Sequence, residues 1–178
     1  MIDGNYEILF SQESISFRVS ELAAEITRDY AKRDLVLVAM LKGSIYFMAD
    51  LTREIDLPFA FDLIGISSLG RASQETGIVR VTKDLGLDVT DKDVLIVEEI
   101  VRSGLTTNYL VQYLEKRAPR SIELVTLLHS PEEQLIDLPL KYTGFEIGYE
   151  RVVGYGMDYR EQDRALPFIA KLDESRYL

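Results

Sequence analysis

Apolar residues recur along this chain in two rhythms, helical and continuous, and their alternation predicts the fold. From residue 14 to residue 30, Ile15, Val19, Leu22, Ala23 and Ile26 return at helical spacing with charged residues opposite, which predicts an amphipathic helix laid on a sheet. Residues 35–40, LVLVAM, are an unbroken apolar run, the composition of a strand covered on both faces. After Leu41-Lys42-Gly43-Ser44 an apolar helix runs from about Ile45 to Leu51. Phe59 to Ser67 reads as a third strand, and strand character resumes over Ile78 to Val81. The polar, glycine-bounded stretch 67–77 between them predicts a two-stranded arm with a long tip of the kind that closes over a site. A charged turn from Asp88 to Asp93 delivers the chain into Val94–Val97, a buried strand running into Glu98 and Glu99. Past Ser103-Gly104, Leu105, Tyr109, Leu110, Tyr113 and Leu114 share a helix face. Ile122 to Leu128 is a further buried strand ending at His129-Ser130-Pro131. Short strand-like pieces mixing glycine and aromatics follow, then Arg160–Arg164 and an apolar piece near Phe168. Strand alternating with helix gives an α/β fold with a parallel sheet, plus a small β-rich lid.

Composition narrows what such a fold can be doing. At 178 residues the chain has the length of one ordinary domain. Thirty acidic against twenty basic side chains leave a net charge of −10, which disfavours nucleic acid and anionic membrane as partners. No cysteine is present, so disulfides, thiolate metal sites and cysteine nucleophiles are excluded. His129 is the one histidine, too few for a histidine-based zinc site. There is neither a basic-then-apolar amino terminus nor an apolar stretch long enough to span a bilayer, and a cytoplasmic protein is expected.

The candidate chemistry sits where strands run into loops that open helices. Residues 94–107, VLIVEEIVRSGLTT, place two carboxylates before a loop carrying Ser103, Gly104, Thr106 and Thr107. The free N–H groups of a helix start hold anions, and acids beside such a cradle suit the hydroxyls or Mg²⁺ of a sugar phosphate. An ordinary strand–turn–helix connection with solvated acids and an N-cap serine accounts for the same letters. Lys42 stands in a second loop of this geometry, placed either for a pyrophosphate or as a solvated lysine in a tight turn.

Taken together and in order, several segments carry a family resemblance: LKGS at 41–44, SSLG and TGIVRVTKDL within 67–85, and the strand with its acids at 94–99. SGLTT at 103–107, GFEI at 144–147 and VVGYGMDYREQDRALP at 152–167 complete the set. The chain resembles the hypoxanthine-guanine phosphoribosyltransferases nearly end to end. The resemblance implies one domain over 1–178: a type I phosphoribosyltransferase core of parallel sheet flanked by helices, a flexible loop at about 67–82, and a hood at about 131–178. It implies transfer of ribose 5-phosphate from phosphoribosyl pyrophosphate to N9 of hypoxanthine or guanine, with Mg²⁺, and a homodimer or homotetramer. By the same resemblance, Glu98 and Glu99 would meet the ribose hydroxyls and, with Asp158, the metal. Arg102, Ser103, Gly104, Leu105 and Thr106 would line the 5′-phosphate loop. Lys42, Gly43 and Arg164 would hold pyrophosphate, with a cis peptide at Leu41–Lys42. Ser130, Arg151, Val152 and Asp158 would surround the base, and Ser68 would lie on the mobile loop.

Four positions depart from the family pattern. Arg102 stands where the family has the aspartate that manages the purine N7 proton, and Ser130 where it has the lysine that reads the 6-oxo group. Arg151 replaces the aromatic residue that stacks on the purine, and Leu69 replaces a tyrosine. Losing a positioned acid or base costs roughly 10²–10⁴ in rate, and a cation there opposes an oxocarbenium-like ribose. For binding the sign differs, because Arg102 can pair with a phosphate and Arg151 can stack on a purine. Two classes follow: an active purine phosphoribosyltransferase with unusual base contacts and reduced turnover, or a non-catalytic nucleotide-binding relative acting as sensor or partner subunit. An unrelated sugar-phosphate binder ranks below both.

Overall fold

The computed structural model describes residues 6–69 and 78–177, with backbone alone at Ser68, Leu69, Ile78 and Val79. The chain runs β1 (Ile8–Phe10), α1 (Gln12–Asp29), β2 (Leu35–Leu41), α2 (Ile45–Glu54), β3 (Phe59–Leu69), β4 (Ile78–Lys83) and β5 (Asp93–Val101). It continues through α3 (Leu105–Glu115), β6 (Ser121–His129), β7 (Leu140–Glu146), β8 (Val152–Val153) and β9 (Ile169–Lys171). Six strands form one sheet in the order β4-β3-β2-β5-β6-β7. All its neighbouring pairs are parallel except β3 with β4. The expected α/β architecture is therefore present.

Both faces of the sheet are covered, which is why its inner strands are apolar at successive positions. Ile15, Val19, Leu22 and Ile26 of α1 pack with Phe47 and Leu51 of α2 against Leu37, Leu95 and Val97. On the other face Leu110 and Leu114 of α3 pack against Val36, Val38, Val94 and Ile96. Ser11 starts α1 by accepting the Ser14 N–H at 3.2 Å. From β2 the chain steps to β3 on one side, and from β5 to β6 on the other. The crevice outside the carboxyl ends of β2 and β5 is thus a topological switch point, where open α/β sheets bind ligands.

Three boundaries differ from the sequence reading. Glu98 and Glu99 lie inside β5, since the strand keeps its pairing with β6 as far as Val101 opposite His129. The lid is a three-stranded sheet, β1-β9-β8, whose first strand comes from the amino terminus, while β7 joins the large sheet. A hood beginning at about 131 therefore does not follow the sheet boundary: Leu140–Glu146 finds its hydrogen-bonding partner in β6. The tip of the arm expected over 67–82 falls at 70–77, outside the described residues, and so does the side chain of Ser68.

Candidate active site

Strand alternation sends the two neighbouring acids of β5 to opposite faces of the sheet. Glu98 is 1% exposed and turns toward α3, where the Thr107 hydroxyl donates to its Oε1 at 3.2 Å. Glu99 turns toward the loop after β2. A Cβ built on Gly43 would stand 1.9 Å from Glu99 Oε1, so any larger residue here has to push the carboxylate aside. The pair expected to act together on one ligand is in this way divided, and Glu99 alone lines the cavity outside β5.

That cavity, of about 260 Å³, has Ile100, Val152 and Met157 as apolar walls and Glu99, Asp158 and Arg164 among its polar groups. Burial strips water from both acids. It drives the Glu98 carboxyl well above the usual range, with the charge of Glu99 adding to the effect and the Thr107 hydroxyl opposing it. Burial likewise pushes Glu99 up to about 7; its own backbone amide and Arg164 act in the opposite direction, while Asp158 adds to the rise. Glu99 keeps some exposure as a residue, yet its Oε2 is sealed off and has no partner, as has Oε2 of Glu98.

The lid closes over the loop after β2. The Leu41–Lys42 peptide is cis, and a Cβ on Gly156, at φ +103°, would meet the Gly43 carbonyl oxygen at 1.8 Å. Arg164 donates to the Gly156 carbonyl at 2.7 Å and pairs with Asp158 at 2.8 Å. Glu161 reaches Lys42 at 3.0 Å and Arg164 at 3.3 Å. Lys42 and Arg164, 122 residues apart in sequence, therefore share one carboxylate that the sequence did not flag. No local pattern marks it, since Glu161 lies 119 residues from Lys42.

The loop before α3 has the geometry of an anion cradle. Gly104 adopts φ +78° and caps α3 without a side-chain bond, and the first N–H to find a carbonyl in the helix is that of Asn108, on Gly104 at 2.8 Å. The N–H groups ahead of it open onto the loop, apart from a long contact of 3.5 Å between Leu105 N–H and Ser103 Oγ.

The departures from the family pattern are placed less simply. Arg102, expected at a phosphate, instead donates to the Glu133 carboxylate and the Glu150 carbonyl, because these acceptors flank it while the loop amides offer only donors. Ser130, expected at the base, is fully buried and absent from the cavity lining, with its hydroxyl 2.9 Å from the Gly148 carbonyl and 3.0 Å from Glu133. Arg151 borders the cavity but carries its guanidinium to Glu174 and over the Tyr159 ring at 5.5 Å. A wider groove of about 420 Å³ beside α1 and α2, lined by Ile15, Tyr46 and Tyr155, holds none of the expected site residues.

A phosphoribosyl transferase domain model matches residues 5–160. A hypoxanthine-guanine phosphoribosyltransferase of Dictyostelium discoideum is 42% identical over 175 residues, covering 96% of this chain and 97% of that one. The chain belongs to the hypoxanthine-guanine phosphoribosyltransferase family. The crystal structure of a hypoxanthine phosphoribosyltransferase from Staphylococcus aureus superposes with a TM-score of 0.91 at 42% identity, over 97% of this chain and 94% of the other. A hypoxanthine-guanine phosphoribosyltransferase from Bacillus anthracis, with HEPES in its active site, gives a TM-score of 0.89 at 41% identity, over 94% and 98% of the two chains. Among the described residues no helix is long and apolar enough to cross a membrane.

Proposed function

We propose that the chain transfers ribose 5-phosphate from phosphoribosyl pyrophosphate to hypoxanthine or guanine, at reduced turnover. The observation that carries this reading is the apolar-walled cavity outside β5, lined by Glu99, Asp158 and Arg164, with Glu161 joining Arg164 to Lys42 of the loop after β2 and an open helix start following β5. In the reaction the bond from C1′ of the ribose to pyrophosphate breaks, a bond from C1′ to purine N9 forms, and the N9 proton is released. The amides of 103–107 hold the 5′-phosphate. Lys42, the Gly43 amide and Arg164 hold the leaving pyrophosphate, displacing Glu161 from the two cations. Ile100, Val152 and Met157 give a flat base its apolar contacts.

Mg²⁺ suits this donor set. Among the described residues no cluster of three or more metal-binding side chains exists, but Mg²⁺ is commonly held by one or two carboxylates plus substrate phosphates. Glu99, with its unpartnered Oε2, and Asp158 are such carboxylates. When bound, the ion neutralises charge on the departing pyrophosphate. Glu98 has no part in this, being turned to α3. Arg102 cannot act as a base, since a guanidinium does not deprotonate in proteins, so the roughly 10²–10⁴ that a positioned base supplies is missing. A cytoplasmic, single-domain homo-oligomer fits the same reading. Calorimetry with IMP and GMP, on the natural protein and on Thr106→Glu, tests it. Binding that is lost in the variant supports the phosphate site, and equal binding by both proteins would sink it.

A further inference from the structure

On the reading that a purine base enters this cavity, we infer that Arg102 determines its specificity, reading a 6-oxopurine through two parallel N–H donors, with Glu133 as the positioning residue that aims it. Arg102 lines the cavity beside the apolar wall of Ile100, Val152 and Met157. Its side chain is 27% exposed and that of its partner Glu133 is 30% exposed, so the pair sits at the rim with more than two-thirds of its surface out of water. One terminal nitrogen donates to Glu133 and the other to the Glu150 carbonyl. A guanidinium carries five N–H donors in a rigid planar fork. Among the described residues, these contacts take one donor on each terminal nitrogen, which leaves three.

The anchors come from two different loops. Glu133 belongs to the turn after β6, where the buried Ser130 hydroxyl lies 3.0 Å from the same carboxylate oxygen. Glu150 lies just before β8. The fork is therefore held from two sides beside the cavity, with two of its five donors engaged. The edge of a 6-oxopurine offers two adjacent acceptors, O6 and N7, which match a bidentate arginine; a 6-aminopurine offers N7 beside an N–H₂ donor, which meets the fork donor to donor. No second cation is needed, and a serine at 130 is accounted for as the prop of Glu133.

The test uses IMP, AMP, GMP, 7-deaza-GMP and ribose 5-phosphate as calorimetric probes on the natural protein, Arg102→Lys and Glu133→Gln. Charged hydrogen bonds of this kind are worth roughly ten- to hundredfold in affinity. The natural protein should bind IMP at least about tenfold more tightly than AMP, and GMP about tenfold more tightly than 7-deaza-GMP, which lacks the N7 acceptor. Arg102→Lys keeps the charge but loses the fork, and should bring both ratios to within about threefold. Glu133→Gln should lower both ratios in the same direction. Ribose 5-phosphate should bind all three proteins alike, which a role for Arg102 at the phosphate would not allow. Undiminished ratios in Arg102→Lys, or equal binding of GMP and 7-deaza-GMP by the natural protein, would overturn the inference while leaving the transferase reading intact. Failure of the natural protein to bind either ribose 5-phosphate or IMP would overturn that reading, and the inference with it.

Discussion

Replacing Glu99 by glutamine removes an acid that folding forces into a sealed space, and the effect has a definite dependence on pH. In the folded chain burial raises this carboxyl from an ordinary 4.5 to about 7, so between those values the folded state holds a proton that the unfolded state has released. Stability then falls as pH rises through that window and levels off above it. Two and a half pH units at about 1.4 kcal/mol each give a loss of about 3 kcal/mol by pH 8. Glutamine mimics the protonated acid at every pH, so Glu99→Gln should match the natural protein near pH 4.5 and exceed its stability by about 3 kcal/mol at pH 8. Relief of Glu98, whose own carboxyl is raised in part by the charge of Glu99, adds in the same direction. The assay is urea unfolding of both proteins at pH 4.5 to 8, without metal or substrate. Parallel stability profiles would refute the reasoning, and Glu99 would then be an acid that stays ionised in water.

Two glycines at the crevice should respond differently to alanine. Gly43→Ala places its Cβ against the mobile end of Glu99, so phosphoribosyl pyrophosphate binding should fall while the melting temperature moves little. Gly156→Ala meets backbone at a left-handed φ and should cost about 1–3 kcal/mol in thermal or urea unfolding. Glu161→Gln frees Lys42 and Arg164 and should strengthen pyrophosphate binding; because Lys42 and Glu161 are about two-thirds exposed, the gain should stay below about fivefold by calorimetry. Arg102→Asp removes the guanidinium and sets two carboxylates face to face at Glu133, so IMP affinity should fall about tenfold or more by calorimetry.

The parts of this molecule legible in the sequence are those that depend on near neighbours. LVLVAM and VLIV declare buried strands because both faces of the sheet are covered, and Ile15, Val19, Leu22 and Ile26 declare a helix because one face is. The short β1 carries too few residues to show a period, and β7, LKYTGFE, is a strand through its pairing with β6 more than through its pattern. The division between Glu98 and Glu99 was implicit in strand alternation, yet treating Val97 as the strand end hid it. The counter-charges were beyond reach. Glu133 meets Arg102 across 31 residues and Glu161 meets Lys42 across 119, and no local pattern marks a loop acid as the partner of a distant cation.

The transferase reading is tested most directly by product analysis. The natural protein is incubated with phosphoribosyl pyrophosphate, Mg²⁺ and, separately, hypoxanthine, guanine, xanthine and adenine, and nucleotide and pyrophosphate are quantified by chromatography and mass spectrometry. IMP or GMP formed in equal amount with pyrophosphate is the expected result. Intact phosphoribosyl pyrophosphate with every base, from protein that still binds IMP, would contradict it and identify a nucleotide-binding relative that has kept the site and lost the reaction.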